Sequence, residues 1–160
     1  MVAGTSTAAV ATAERELVIT RVIDAPHLLV FKAWTQPEQI ARWWGPKGFT
    51  TISCKMDVRQ DGAYRICMRS PEGVDHWKQG VYREIVPPER LVFTFAWEDA
   101  DGNPGHELLT TVTFAEQGTK TKLTLRQTVF ETVERRDDHQ GGWTSCLERF
   151  AEYMTSTRGT

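Results

Sequence analysis

The sequence predicts an α+β fold. It is a curved antiparallel sheet of six to seven strands around a long C-terminal helix, with two short helices after the first strand. Three observations lead there. Between about residue 50 and residue 130 the apolar residues recur with period two, the spacing of strands, and the runs are punctuated by Gly, Pro, Asp and Asn. Before that region lie two short segments with helical spacing. After it, Trp143, Leu147, Phe150 and Met154 fall at i, i+4, i+7 and i+11, one stripe of an amphipathic helix. A meander has two faces and only one long helix to cover one of them, so the sheet must curl around that helix. A curled sheet propped open by aromatics leaves a cavity.

Glu16 to Asp24 is rich in Val and Ile and reads as the first strand. Pro26 suits the first turn of a helix, and Val30, Phe31 and Trp34 give that helix its apolar side. The second helix opens at Pro37, with Glu38 complementing its dipole. It ends at Gly45-Pro46, where glycine tolerates a left-handed cap and proline cannot continue. Trp43 and Trp44 stand about 100° apart on such a helix, so they cannot fill one slot. Trp43 is expected to anchor the core, and Trp44 to be a partly buried residue at a cavity mouth.

Ile52, Cys54, Met56 and Val58 then alternate with polar residues, as do Tyr64, Ile66 and Met68. A three-residue loop with Gly62 in the left-handed position would place Val58 opposite Tyr64, Met56 opposite Ile66 and Cys54 opposite Met68, which keeps one face apolar. Four more strands follow: His76 to Val86, Leu91 to Trp97, His106 to Phe114 and Thr121 to Phe130. Pro87-Pro88, the loop 101–105 and the turn at Glu116-Gln117-Gly118 separate them. The expected organisation is a disordered tail over residues 1–13 and a single domain over 14–157.

The totals narrow the function classes. The chain has 160 residues, the size of one domain, with 40% hydrophobic and 25% charged residues and a net charge of −2. With a sequence pI near 6.1 and no basic run, nothing favours nucleic acid. No apolar run reaches the ~18 residues of a membrane span. The first thirteen residues lack the basic start and long apolar centre of a secretory signal. Cys54, Cys67 and Cys146 form neither a disulfide framework nor a zinc motif, and free thiols point to a reducing, cytoplasmic setting. Six tryptophans make aromatic packing a large part of the energetics.

The order of elements and the motifs on them resemble a known family. They include Arg21 with Ala25-Pro26, Val30-Phe31 through Ala33-Trp34, Pro37-Glu38, and Arg42-Trp43-Trp44-Gly45-Pro46. Asp57 with Arg59 and Gly62, Gly80 with Glu84-Ile85, Pro87 through Leu91, and Gly142-Trp143 follow. Together they resemble the homologues of the activator of the heat-shock protein ninety ATPase, in the SRPBCC superfamily, from about Leu17 to Met154. The resemblance implies the helix-grip, START-like fold of the birch-pollen allergen relatives, and with it a cavity. Where the family carries a histidine near the end of its seventh strand, this chain carries Gln127. The eukaryotic activators also possess a separate N-terminal domain that helps engage the chaperone, for which this chain has no room.

The cavity candidates are Trp44, Met56, Tyr64, Ile66, Met68, Tyr82, Phe93, Phe95, Trp97, Gln127, Trp143 and Leu147. Each large apolar residue alone fits a core role, but collectively they are what an apolar pocket requires. Gln127 is a polar side chain on the strand face of Leu123, Leu125 and Val129. It is either a satisfied buried amide or a hydrogen-bonding group in the pocket. His106, Glu107, His76, Asp75, Glu84 and Arg126 carry acid-base chemistry individually but show no catalytic spacing. Asp137-Asp138-His139 after Arg135-Arg136 reads as a solvated helix start rather than a metal cluster, and Cys146 as a small buried hydrophobe. No catalytic residue, metal ligand or cofactor is assigned. The expected function is binding of a small apolar or amphipathic molecule by a monomer or homodimer. The alternatives are a module that regulates a chaperone ATPase, with the chaperone as partner and a role in the stress response, and a cyclase or hydrolase on the same fold.

Overall fold

The computed structural model describes residues 15–158, and the expected tail over 1–13 lies outside them. The chain runs β1 (Leu17–Ile23), α1 (His27–Thr35), α2 (Pro37–Trp43), then β2 (Thr50–Met56), β3 (Ala63–Arg69), β4 (Asp75–Val86), β5 (Arg90–Trp97), β6 (Leu108–Gln117) and β7 (Lys120–Thr128), and closes with α3 (Val133–Arg158). The seven strands form one antiparallel sheet in the order β1-β7-β6-β5-β4-β3-β2. The first strand thus pairs with the last, while α1 and α2 carry the chain to the far edge.

The period-two pattern does what it implies. Leu91, Phe93 and Phe95 of β5, Val112 and Phe114 of β6, and Leu123 and Leu125 of β7 are all buried on the side that faces α3. Leu147, Phe150 and Met154 of α3 are buried against it. The heart of this core is aromatic: Trp43 lies 4.7 Å from Trp34 and 4.5 Å from Phe150, ring centre to ring centre.

Three details depart from the expectations. The β2–β3 connection spans residues 57–62, so Met56 faces Tyr64 and Cys54 faces Ile66, two residues off the expected register. The longer turn is tied to β4: Asp61 donates its N–H to Tyr82 O and Tyr82 donates to Gly62 O. The left-handed residue is Asp61, at φ 66°, not Gly62. Gly62 is required for space, since a Cβ there would lie 2.0 Å from Asp57 O. Because the slip is even, every side chain keeps its face, and Cys54 and Cys67 still point to opposite sides. Secondly, β6 begins at Leu108, leaving His106 and Glu107 in an exposed loop. Thirdly, α3 begins at Val133, ten residues before Trp143, so Asp137-Asp138-His139 lies inside the helix. The three cysteines are free.

Candidate functional site

A cavity of about 440 Å³ lies between the first half of α3, the sheet and the loop after α2. Its wall is built from five segments of the chain. Trp44, Gly45, Pro46 and Phe49 come from the end of α2 and the loop after it. Met68 comes from β3, His76 and Lys78 from β4, and Phe95 and Trp97 from β5. Arg135, Asp138, His139, Gly142, Trp143 and Cys146 come from α3.

The loop over α2's end is fixed by local rules. Trp44 is the cap residue of α2, its N–H still bonded to Ile40 O, and Gly45 turns the chain at φ 89°. Arg149 of α3 then donates to Trp44 O at 3.1 Å and Phe49 O at 2.9 Å, which satisfies carbonyls the turn leaves free. Trp43 and Trp44 divide the space as their directions require. Trp43 is wholly buried and donates its indole N–H to Ala33 O at 3.1 Å. Trp44 forms cavity wall, but at 4% exposure it is buried rather than a half-open lid. The rings of Trp34, Trp43 and Trp143 surround it.

Of the twelve residues read from the sequence, Trp44, Met68, Phe95, Trp97 and Trp143 line the cavity. Tyr64, Tyr82 and Phe93 form a separate buried cluster nearer the β2–β3 turn, with ring centres 5.6 to 6.1 Å apart. Gly80 makes that cluster possible. Tyr64 lies across it to donate to Thr94 O at 2.6 Å, and a Cβ on residue 80 would sit 2.5 Å from the Tyr64 ring. Ile66 and Leu147 are core, Met56 is half-buried at the sheet's edge, and none of these six borders the cavity.

Gln127 is wholly buried behind the cavity wall, and both ends of its amide are hydrogen-bonded. Its Nε2 donates to Thr110 Oγ1 at 2.9 Å, and its Oε1 accepts from Trp143 Nε1 at 3.1 Å and from His139 Nδ1 at 2.9 Å. Indole nitrogen only donates, so Trp143 fixes which end of the amide is oxygen. His139 Nδ1 must then carry the hydrogen. Its other nitrogen, Nε2, accepts from Trp97 Nε1 at 2.9 Å. The imidazole is thereby locked as one neutral tautomer, because a second proton would confront the Trp97 N–H. Burial, with Lys78 and Arg135 nearby, lowers its pKa to about 4. His139 was hidden in a charged run at what the sequence presents as a solvated helix start. Its position four residues before Trp143 was the available signal.

Lys78 is the second residue the sequence did not disclose. It is 2% exposed, and its Nζ stands 3.2 Å above the centre of the Trp44 ring. No hydrogen bond or ion pair to that nitrogen is present among the described residues. Burial drives its pKa well below the lysine value. Attraction to the Trp44 face favours the charged form by about 2 kcal/mol, less than the several kcal/mol that desolvation costs an ion. Burial likewise raises the Cys146 thiol to about 11, so it is uncharged at neutral pH.

The other acid-base candidates do not converge. Asp75 pairs with Arg69 at 2.7 Å, Glu84 with Arg90, and Arg126 with Glu16 at 2.6 Å. His76 alone reaches the cavity. No cluster of metal-ligating side chains is found among the described residues, and no helix there is long and apolar enough to cross a membrane.

A sheet gripping one long helix, with a cavity under the helix's first half, is the architecture implied by the motifs. The family model described as "Activator of Hsp90 ATPase homolog 1-like protein" matches residues 24–155. The chain belongs to this family. Solved structures of family-like fold agree. A protein from Chromobacterium violaceum is 30% identical, with a TM-score of 0.75 over 88% of this chain and 96% of its own. The AHSA1 protein of Silicibacter pomeroyi is 24% identical, with a TM-score of 0.80 over 89% of this chain and 99% of its own. A protein from Arthrobacter aurescens, 21% identical, reaches a TM-score of 0.82 over 90% of this chain and 88% of its own. No curated protein matches the chain.

Proposed function

We propose that this family member binds a small apolar or amphipathic molecule in the cavity between its sheet and the first half of α3. The observation that supports this is the cavity itself. The cavity measures about 440 Å³, and five aromatic side chains line it: Trp44, Phe49, Phe95, Trp97 and Trp143. Ligand pockets are concave and lined mainly by apolar and aromatic side chains, and this wall of large, rigid rings fits that pattern. Among the polar groups on the wall, His76 and Lys78 are the kind that orient a ligand. The chaperone-regulating alternative is supported only by the family's description.

Titration with the neutral fluorescent probe N-phenylnaphthylamine tests the proposal. Saturable binding at one site per chain is expected. Gly142→Leu should abolish it. Gly142 lines the cavity, and a Cβ there meets nothing nearer than Pro46 Cγ at 3.9 Å, so the new side chain enters the empty space without displacing the core. Absence of saturable binding, or binding that Gly142→Leu leaves unchanged, would refute the cavity as the site.

A further inference from the structure

Lys78 projects from β4 into the cavity from the middle of the sheet, where the opposed residues on its two neighbours are Ile66 and Trp97. A lysine at such a position normally carries a carboxylate with it, because an isolated buried ammonium is costly. Here its surroundings are the Trp44, Phe95 and Trp97 rings, 3.2, 5.1 and 5.8 Å from Nζ. The acid on the cavity wall, Asp138, is exposed at the rim. A lysine amine aimed into an apolar chamber, with no acceptor of its own among the described residues, lacks one partner.

Building on the cavity reading, we infer that the ligand is an amphipathic organic acid whose anionic head sits against Lys78 Nζ while its apolar body fills the aromatic chamber. The head group supplies the acceptor oxygens and negative charge that the protein withholds. Lys78 is buried, and there such a charge-assisted contact is worth far more than at the surface. His139 cannot replace Lys78 in this role. Its Nδ1 hydrogen is committed to Gln127 and its Nε2 accepts from Trp97, so it offers the ligand no donor. Arg135 is the competing cation, but it lies exposed at the rim, where water already solvates it. The shared chemistry is a carboxylate, sulfonate or phenolate on an apolar body.

Two dyes with the same ring system separate the head group from the body. Anilinonaphthalene sulfonate is N-phenylnaphthylamine carrying one sulfonate. Wild-type protein should bind the sulfonate about tenfold more tightly or better, the least that one charge-assisted hydrogen bond provides. Lys78→Met and Lys78→Gln should each lose that preference while still binding the neutral dye, and Arg135→Ala should keep it. Thermal midpoints of both Lys78 variants at or above wild type would verify that they fold, since each removes a buried, unpartnered amine. If wild type binds both dyes equally, or the preference survives at residue 78 and vanishes with Arg135→Ala, the head-group inference falls and the cavity stands. If neither dye binds, the cavity reading itself falls, and this inference with it.

Discussion

The two halves of α3 rest on different kinds of surface. From Leu147 onward the helix lies on closed core: Leu147, Phe150 and Met154 are buried, and Phe150 meets Trp43 and Trp34. From Arg135 to Cys146 it spans the cavity, its inner face carrying His139, Gly142 and Trp143. Among the described residues, the first surface borders no part of this cavity and takes no buried polar side chain from the helix. The second has space, a locked imidazole beside it and an unpartnered lysine across it. The difference teaches where stability and function reside: one half of the helix holds the sheet closed, and the other holds it open.

The tryptophan pair sits at this boundary and offers the strongest way to break the comparison. Trp43→Ala deletes a wholly buried ring and its hydrogen bond to Ala33 O, so its cost should be near the top of the usual range for a buried aromatic, about 5 kcal/mol. Trp44→Ala should cost about 3 kcal/mol, because its ring lines the cavity rather than the closed core. Urea unfolding gives both values. Dye titration should show altered binding in Trp44→Ala and wild-type affinity in Trp43→Ala. Equal destabilisation with no change in dye binding would erase the division between the halves.

Acid should loosen the cavity half. His139 has a folded pKa of about 4, below its ordinary 6.5. The unfolded chain therefore takes up a proton that the native state refuses, and stability falls as pH drops from about 6.5 toward 4. A shift of that size corresponds to about 3 kcal/mol in full, and the ring's partial exposure reduces it to about 2 kcal/mol. Urea midpoints of wild type and His139→Gln at pH 7 and pH 4.5 isolate this contribution. Wild type should lose more on acidification than the variant; parallel losses would mean that the imidazole titrates freely.

How much of this was legible differs between the halves in the same way. The closed half follows from spacing alone: the stripe Leu147, Phe150, Met154 and the alternation on β5 to β7 record burial directly, because apolar residues at a fixed period have one physical cause. The cavity half was legible only through its aromatics. Trp44, Phe95, Trp97 and Trp143 stood out as large and apolar, whereas Tyr64, Tyr82 and Phe93 looked identical in sequence yet pack elsewhere. Which rings meet depends on the sheet's curl, a property of all seven strands together. Lys78 was invisible for a specific reason. On a strand whose faces are both mixed, a lysine reads as solvent-facing, and only its pairing with Ile66 and Trp97 shows that it points inward. Gln127 was readable as an anomaly; its partner His139 was masked by the charges around it.

The smallest expected effect is the sharpest probe of the boundary. Gly141 and Gly142 are adjacent inside α3, where glycine costs roughly 0.5–1 kcal/mol relative to alanine. Neither has a left-handed backbone, so neither is required by geometry. A Cβ at Gly141 would meet nothing within 4 Å, and its position is exposed. Gly141→Ala should therefore raise stability by about 0.5–1 kcal/mol in urea unfolding and leave dye affinity unchanged. Gly142→Leu relieves the same backbone penalty, yet its side chain enters the cavity and should eliminate dye binding. Two neighbouring substitutions with the same effect on the helix and opposite effects on the ligand would show that residue 142 is glycine to keep the chamber open. If Gly141→Ala also weakens the dye, the ligand is sensed by the helix backbone as a whole, and the cavity is not bounded where the side chains place it.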